Sequence, residues 1–202
     1  MDAKINKRRI GIYSGTFDPV HAGHISFALQ AIQTGQLDEL YFLPERRPRS
    51  KTGTEHFGHR VAMLKRAVRP YARMQVVELE DVSFSVAQTL PRLQNRFANS
   101  QLLFLVGSDV IESMAHWPNI TQFFKQVELM VGLRESDDPA KVAAITATWK
   151  VQPQAITTVM SYAPSVSSRR IREGLRKREY VPGLLQSVVR YSEHNWLYIS
   201  LA

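Results

Sequence analysis

Between Gln101 and Gly107 every residue is apolar: Leu102, Leu103, Phe104, Leu105 and Val106 follow without a break. A strand with one wet face alternates apolar and polar residues, whereas a run of this kind must be covered on both faces, as strands are when helices flank a parallel sheet. Shorter runs repeat along the chain. Arg9 to Tyr13 ends at Ser14-Gly15, Leu40 to Leu43 is stopped by Pro44, and Met74 to Leu79, Val127 to Leu133 and Ala155 to Met160 complete the candidate strands. Helical spacing fills the intervals: His21 to about Gln33, His56 to Val68 with Val61, Leu64 and Val68 on one face, Val86 to Phe97, Pro139 to Trp149, and a helix from near Ser167 followed by one or two more. The alternation predicts an α/β chain, a Rossmann-like open parallel sheet with helices on both faces and right-handed crossovers. With no repeat and no low-complexity linker, residues 1–202 read as a single domain whose part after about 165 forms a C-terminal helical cap.

Composition narrows the chemistry. Hydrophobic residues make up 44% of the chain and charged residues 22%, which are globular values. No apolar run approaches the roughly 20 residues of a membrane span, and Met1 to Arg9 has basic residues without the apolar stretch of a secretory signal. A cytoplasmic protein with no membrane partner is therefore expected. Cysteine is absent, which excludes disulfide frameworks, thiolate metal sites and cysteine nucleophiles. The net charge of +8 bunches in Lys4–Arg9, Arg46–Lys51 and Arg169–Arg178, and so points to anionic ligands. Nucleic acid and a small polyphosphate both answer that description.

Gly15-Thr16-Phe17-Asp18-Pro19-Val20-His21-Ala22-Gly23-His24 lies where the first strand turns into the first helix, the place where open α/β sheets bind phosphate. Gly15 frees the backbone to turn amides toward an anion, and the helix directs the positive end of its dipole there. His21 and His24, spaced i, i+3, share one face near the helix start, where each ring can donate to a phosphate oxygen. They suit zinc less well, because the usual helical metal pair is i, i+4 with an intervening glutamate. One further segment fits an anion site: Ser167-Ser168-Arg169-Arg170-Ile171-Arg172 opens a helix after Pro164, with a serine available as N-cap.

The Gly15–His24 decapeptide resembles the signature of the HxGH nucleotidyltransferases, and its Thr-Phe-Asp-Pro-Val-His wording is most similar to bacterial nicotinate-mononucleotide adenylyltransferase. Other segments resemble the same family. Val166-Ser167-Ser168-Arg169-Arg170-Ile171-Arg172 resembles its Ile-Ser-Ser-Thr-x-Ile-Arg, Gly107-Ser108-Asp109 its Gly-x-Asp, and His116-Trp117-Pro118 its tryptophan segment. Phe84 to Leu90 resembles Ser-Tyr-Thr-x-x-Thr-Leu, and Pro44 to Lys51 a substrate-closing loop. Departures are Ser14 for a common glycine, Arg169 for threonine, and Arg49 and Ser50 where the loop usually has proline and histidine.

The resemblance implies a transferase that moves AMP from ATP to nicotinate mononucleotide, releases pyrophosphate and forms the dinucleotide, a step of NAD biosynthesis. It implies His21, His24, Lys51 and Arg172 as catalytic residues, and Gly15, Thr16, Phe17, His21, His24, Gly107, Asp109, Ser167, Ser168 and Arg172 as the ATP site. Asp18, Lys51, Ser85 and Trp117 would meet the acceptor. Magnesium would arrive on the ATP phosphates and take no protein side chain as ligand. The partners expected are ATP and a small phosphorylated acceptor, with no nucleic acid. The altered loop and Arg169 leave other acceptors open, namely nicotinamide mononucleotide, pantetheine phosphate or a CTP-dependent phospho-alcohol. They also leave open a relative that binds nucleotide or RNA without catalysis, while oligomeric state has no signal in the sequence.

Overall fold

The computed structural model describes residues 7–48, 52–134, 137–160 and 166–199. Six parallel strands form one sheet in the order β3-β2-β1-β4-β5-β6, with β1 Arg9–Gly15, β2 Glu39–Pro44, β3 Met74–Val76, β4 Gln101–Gly107, β5 Val127–Leu133 and β6 Ile156–Met160. The order reverses between β1 and β4, so a crevice opens beyond the carboxyl ends of these two strands. The helices are α1 Ala22–Thr34, α2 Phe57–Val68, α3 Thr89–Arg96, α4 Ile111–Met114, α5 Ile120–Phe124, α6 Pro139–Ala147, α7 Ser168–Lys177 and α8 Gln186–His194. The expected α/β architecture is present. Among the described residues no helix is long and apolar enough to cross a membrane.

The unbroken apolar run of β4 is explained by two cores. Leu103 and Leu105 point to a layer shared with Ile25, Ala28 and Ile32 of α1, Met63 and Leu64 of α2 and Val188 of α8. Leu102 and Phe104 point the other way, into a layer with Leu90, Phe123, Phe124 and Trp149. Successive side chains on a strand face opposite sides, so covering both layers requires apolar residues at every position. Each such side chain, buried in full, contributes about 2 kcal/mol.

Several boundaries differ from those read off the sequence, each for a local reason. The third strand spans three residues rather than Met74 to Leu79, because the backbone beyond it is drawn to a neighbouring loop. Arg46 Nε donates to the Leu79 carbonyl at 2.9 Å, and the Arg47 amide donates to the Val82 carbonyl at 2.8 Å. The third helix starts at Thr89, not Val86, because Ser85 closes a turn first: its amide donates to Thr89 Oγ1 at 2.9 Å and its carbonyl accepts from the Thr89 amide at 2.7 Å. Helix α6 ends at Ala147, which releases Trp149 to stack on Phe124 at 4.5 Å. The short helices α4 and α5 have no sequence signal. Four and five residues are too few to display a period, and Asn119 breaks them apart in the left-handed region at φ 61°.

The C-terminal helices cover the first core layer. Arg66 of α2 lies over the Tyr191 ring of α8 at 4.4 Å, and His59 Nδ1 sits 3.0 Å from the Tyr191 hydroxyl. This seats α8 against α2, and the Gly183 carbonyl, which accepts from the Ala22 amide at 2.9 Å, brings the same C-terminal segment to the start of α1.

Candidate active site

After β1 the chain leaves the sheet as an irregular turn, Thr16 to Val20, before α1 begins. Phe17 anchors the turn from below. Its ring is 2% exposed and meets Tyr13 at 5.3 Å, Phe42 at 5.4 Å and His24 at 5.1 Å. Its φ of 49° is costly for an aromatic residue, on the order of 1 kcal/mol or more, and is sustained only because the surroundings fix it. The carbonyls of the turn are held from outside. Arg60 Nη1 donates to Thr16 O at 2.6 Å, Arg172 Nη1 to Asp18 O at 2.6 Å, and Ser168 Oγ to Pro19 O at 3.0 Å. The Asp18–Pro19 peptide is cis.

The two histidines meet at the end of this turn. Their rings stack with centroids 3.7 Å apart, as the i, i+3 spacing predicted. The His21 amide donates to His24 Nδ1 at 3.2 Å, which leaves His24 to carry its ring proton on Nε2 and fixes it as a donor from that atom. His21 is 6% exposed, and its Nδ1 is buried with no hydrogen-bond partner among the described residues. Burial, reinforced by the positive charge of Arg134, lowers the His21 pKa to about 4, so the ring is neutral at physiological pH. Fewer helix amides are available to an anion than the sequence suggested. The Ala22 amide donates to the Gly183 carbonyl at 2.9 Å and the His24 amide to the His21 carbonyl at 3.0 Å. Gly183 delivers that carbonyl from φ 84°, where a Cβ would also lie 2.5 Å from Val166 Cγ2.

The second phosphate segment is built as expected at its start. Ser167 caps α7, its side chain accepting from the Arg170 amide at 3.3 Å, and Ser168 and Arg172 reach the first turn. Five predicted residues, Asp18, His21, His24, Ser168 and Arg172, are thus joined to one turn. Asp18 is 3% exposed, and its Oδ1 accepts from the Tyr198 hydroxyl at 2.7 Å and from the Glu55 amide at 3.4 Å. Its Oδ2 lies 3.7 Å from Arg172 Nη1. The carboxylate is therefore committed to the protein, and the Phe17 ring is likewise enclosed.

Across the crevice, Gly107 lets Asp109 fold back beside the strand end, since a Cβ on Gly107 would meet Asp109 Oδ1 at 2.4 Å. Asp109 Oδ2 pairs with Arg134 Nη2 at 3.0 Å, and Asp137 accepts from the Ser108 hydroxyl and from the Arg134 amide at 2.6 Å. Trp117 is half-buried, with its ring 6.2 Å from Phe84, next to Ser85. Lys51, with Arg49 and Ser50, lies outside the described residues, as does Pro164.

Four contributors were given no role in the site by the sequence reading: Arg60, Arg134, Gly183 and Tyr198. Arg60, fully buried, also donates to the carbonyls of Glu45 at 2.8 Å, Arg46 at 3.0 Å and Glu55 at 2.9 Å, and ties the turn to the loop after β2. Its only sequence signal was a charge among the apolar positions of α2. Among the described residues no group of three acidic or histidine side chains is placed to hold a metal. Imidazole donors and guanidinium cations suit phosphate oxygens instead.

Comparison with known proteins bears on the same site. A family model described as cytidylyltransferase-like matches residues 12–174. The nicotinate-nucleotide adenylyltransferase of Bacillus subtilis is 30% identical over 199 residues, covering 96% of this chain and all of the relative. Two solved structures of the Plasmodium falciparum nicotinic acid mononucleotide adenylyltransferase share the fold with a TM-score of 0.77. One is complexed with NaAD, at 17% identity, and the other with APC, at 16%; each match covers 96% of this chain and all of that one.

Proposed function

Because this chain belongs to the cytidylyltransferase-like family, among its nicotinate-nucleotide adenylyltransferases, we propose that it transfers AMP from ATP to nicotinate mononucleotide in NAD biosynthesis. An oxygen of the mononucleotide phosphate attacks the α-phosphorus of ATP in line, the bond from that phosphorus to the bridging oxygen breaks, and pyrophosphate leaves with the electron pair. The dinucleotide is the product. The attacking phosphate is already an anion at neutral pH, so no general base is needed, and catalysis consists of positioning and charge stabilisation.

The observation that carries this reading is the stacked histidine pair, with the His24 proton fixed on Nε2. From there His24 donates to the oxygens that gain charge in transfer, and His21 offers a second, neutral ring beside it. Arg172 and Lys51 balance the triphosphate and the departing pyrophosphate. Gly15, Thr16 and the Phe17 backbone line the turn, Ser167 and Ser168 flank it, and Gly107 and Asp109 face the nucleoside across the crevice. On the acceptor side Trp117 offers a flat ring to the pyridine, with Ser85 nearby. The donor set fits a magnesium ion bound to ATP, which would neutralise phosphate charge when present.

A pyrophosphate-release panel with nicotinate mononucleotide, nicotinamide mononucleotide and pantetheine phosphate, each with ATP, and choline phosphate with CTP, tests the proposal. Nicotinate mononucleotide is expected to give the highest kcat/KM. His24→Ala is expected to keep the fold and lower kcat by about 100- to 1,000-fold. Preference for another acceptor, or full activity in that variant, would overturn the reading.

A further inference from the structure

The Thr16–Val20 turn is irregular and includes an aromatic residue at positive φ, so its shape depends on what grips it from outside. Two of those grips come from residues with no part in phosphate or acceptor binding. Tyr198 lies 180 positions from Asp18 in sequence, yet is 6% exposed and donates its hydroxyl to Asp18 Oδ1 at 2.7 Å. Burial, and after it the charge of Asp18 and the bond itself, push the Tyr198 phenol above its ordinary range, so the hydroxyl keeps its proton and remains a donor. From the opposite side Arg60 reaches Thr16 O while its other nitrogens hold Glu45, Arg46 and Glu55. A planar fork satisfying four carbonyls from three segments fixes their spacing as a flexible ammonium cannot.

We infer that Tyr198 and Arg60 are positioning residues, which clamp the turn between α2 and the C-terminal segment so that the His21–His24 pair stands at a fixed height above the end of β1. Asp18 then acts as the peg on which the C-terminal segment closes, and Arg172 is oriented by the same peg through its bond to the Asp18 carbonyl. The kinetic consequence rests on the proposed adenylyl transfer. The mechanical one does not.

Tyr198→Phe removes one hydroxyl and leaves the ring packed, while Arg60→Lys keeps the charge and loses the fork. In each variant of the full chain, kcat for pyrophosphate release is expected to fall about tenfold, the cost of one charge-assisted hydrogen bond. KM for either substrate should stay within about threefold. Amide exchange at Phe17, Asp18, Val20 and His21 is expected to speed by a similar factor, with Val127–Leu133 of the sheet unchanged as an internal reference. Three results would overturn the inference: unchanged exchange at the turn, exchange rising equally in the sheet, or a change confined to KM. If the wild-type chain turned over no acceptor, the proposed function would fail while the exchange measurement still decided the clamp.

Discussion

The two sides of the crevice are built differently. On the turn side the carbonyls of Thr16, Asp18 and Pro19 and both oxygens of the Asp18 carboxylate are engaged by side chains from α2, α7 and the C-terminus. On the proposed acceptor side, Trp117 and Ser85 lie in connecting segments, between α4 and α5 and before α3, with Trp117 in ring contact with Phe84 and Ser85 held by a local turn. Adenylyl transfer accounts for the difference. Charge develops at the same place whatever the acceptor, so donors near it benefit from rigid placement, whereas acceptor choice depends on a surface shaped by loops.

Substitutions should separate the two sides. The largest expected effect lies in the buried imidazole. His21 has a pKa of about 4 when folded against an ordinary value near 6.5, so between these values the unfolded chain binds the extra proton. Stability due to this group is therefore complete above about pH 7 and is lost as pH falls toward 4. His21→Asn should lose about 3 kcal/mol less than wild type between pH 7 and pH 4, measured by urea unfolding. An identical loss in both proteins would place the imidazole in water rather than in the turn.

On the acceptor side the expected effect is smaller and of another kind. Trp117→Ala should raise KM for nicotinate mononucleotide about tenfold, a stacking contribution of about 1 to 1.5 kcal/mol, with kcat and KM for ATP little changed. Steady-state kinetics check this. A loss confined to kcat would erase the distinction between the sides.

How much of this was legible in the sequence follows the same division. The doubly buried strand Leu102–Leu105 and the helical face of Val61, Leu64 and Val68 announced the fold, because both are patterns of local origin. The histidine pair and Ser168 were found because they lie on helix starts with fixed spacing. The roles of Arg60 and Tyr198 were not legible, since their partners lie 44 and 180 residues away and a lone arginine or tyrosine has no period. Gly183 was missed for the same reason, its carbonyl meeting Ala22 only once the C-terminal segment folds back. The pattern also misjudged the α1 N-terminus, because the dipole argument takes no account of a chain segment that claims its first amide.

The role proposed for His24 is that of a donor from Nε2, held in that tautomer by the His21 amide. His24→Gln presents an amide nitrogen near the Nε2 position, whereas His24→Asn presents it near Nδ1. Measuring kcat for ATP-dependent pyrophosphate release with nicotinate mononucleotide in both variants tests the claim directly. The glutamine variant is expected to retain at least about tenfold more activity than the asparagine variant. Equal losses, or greater activity with asparagine, would contradict it.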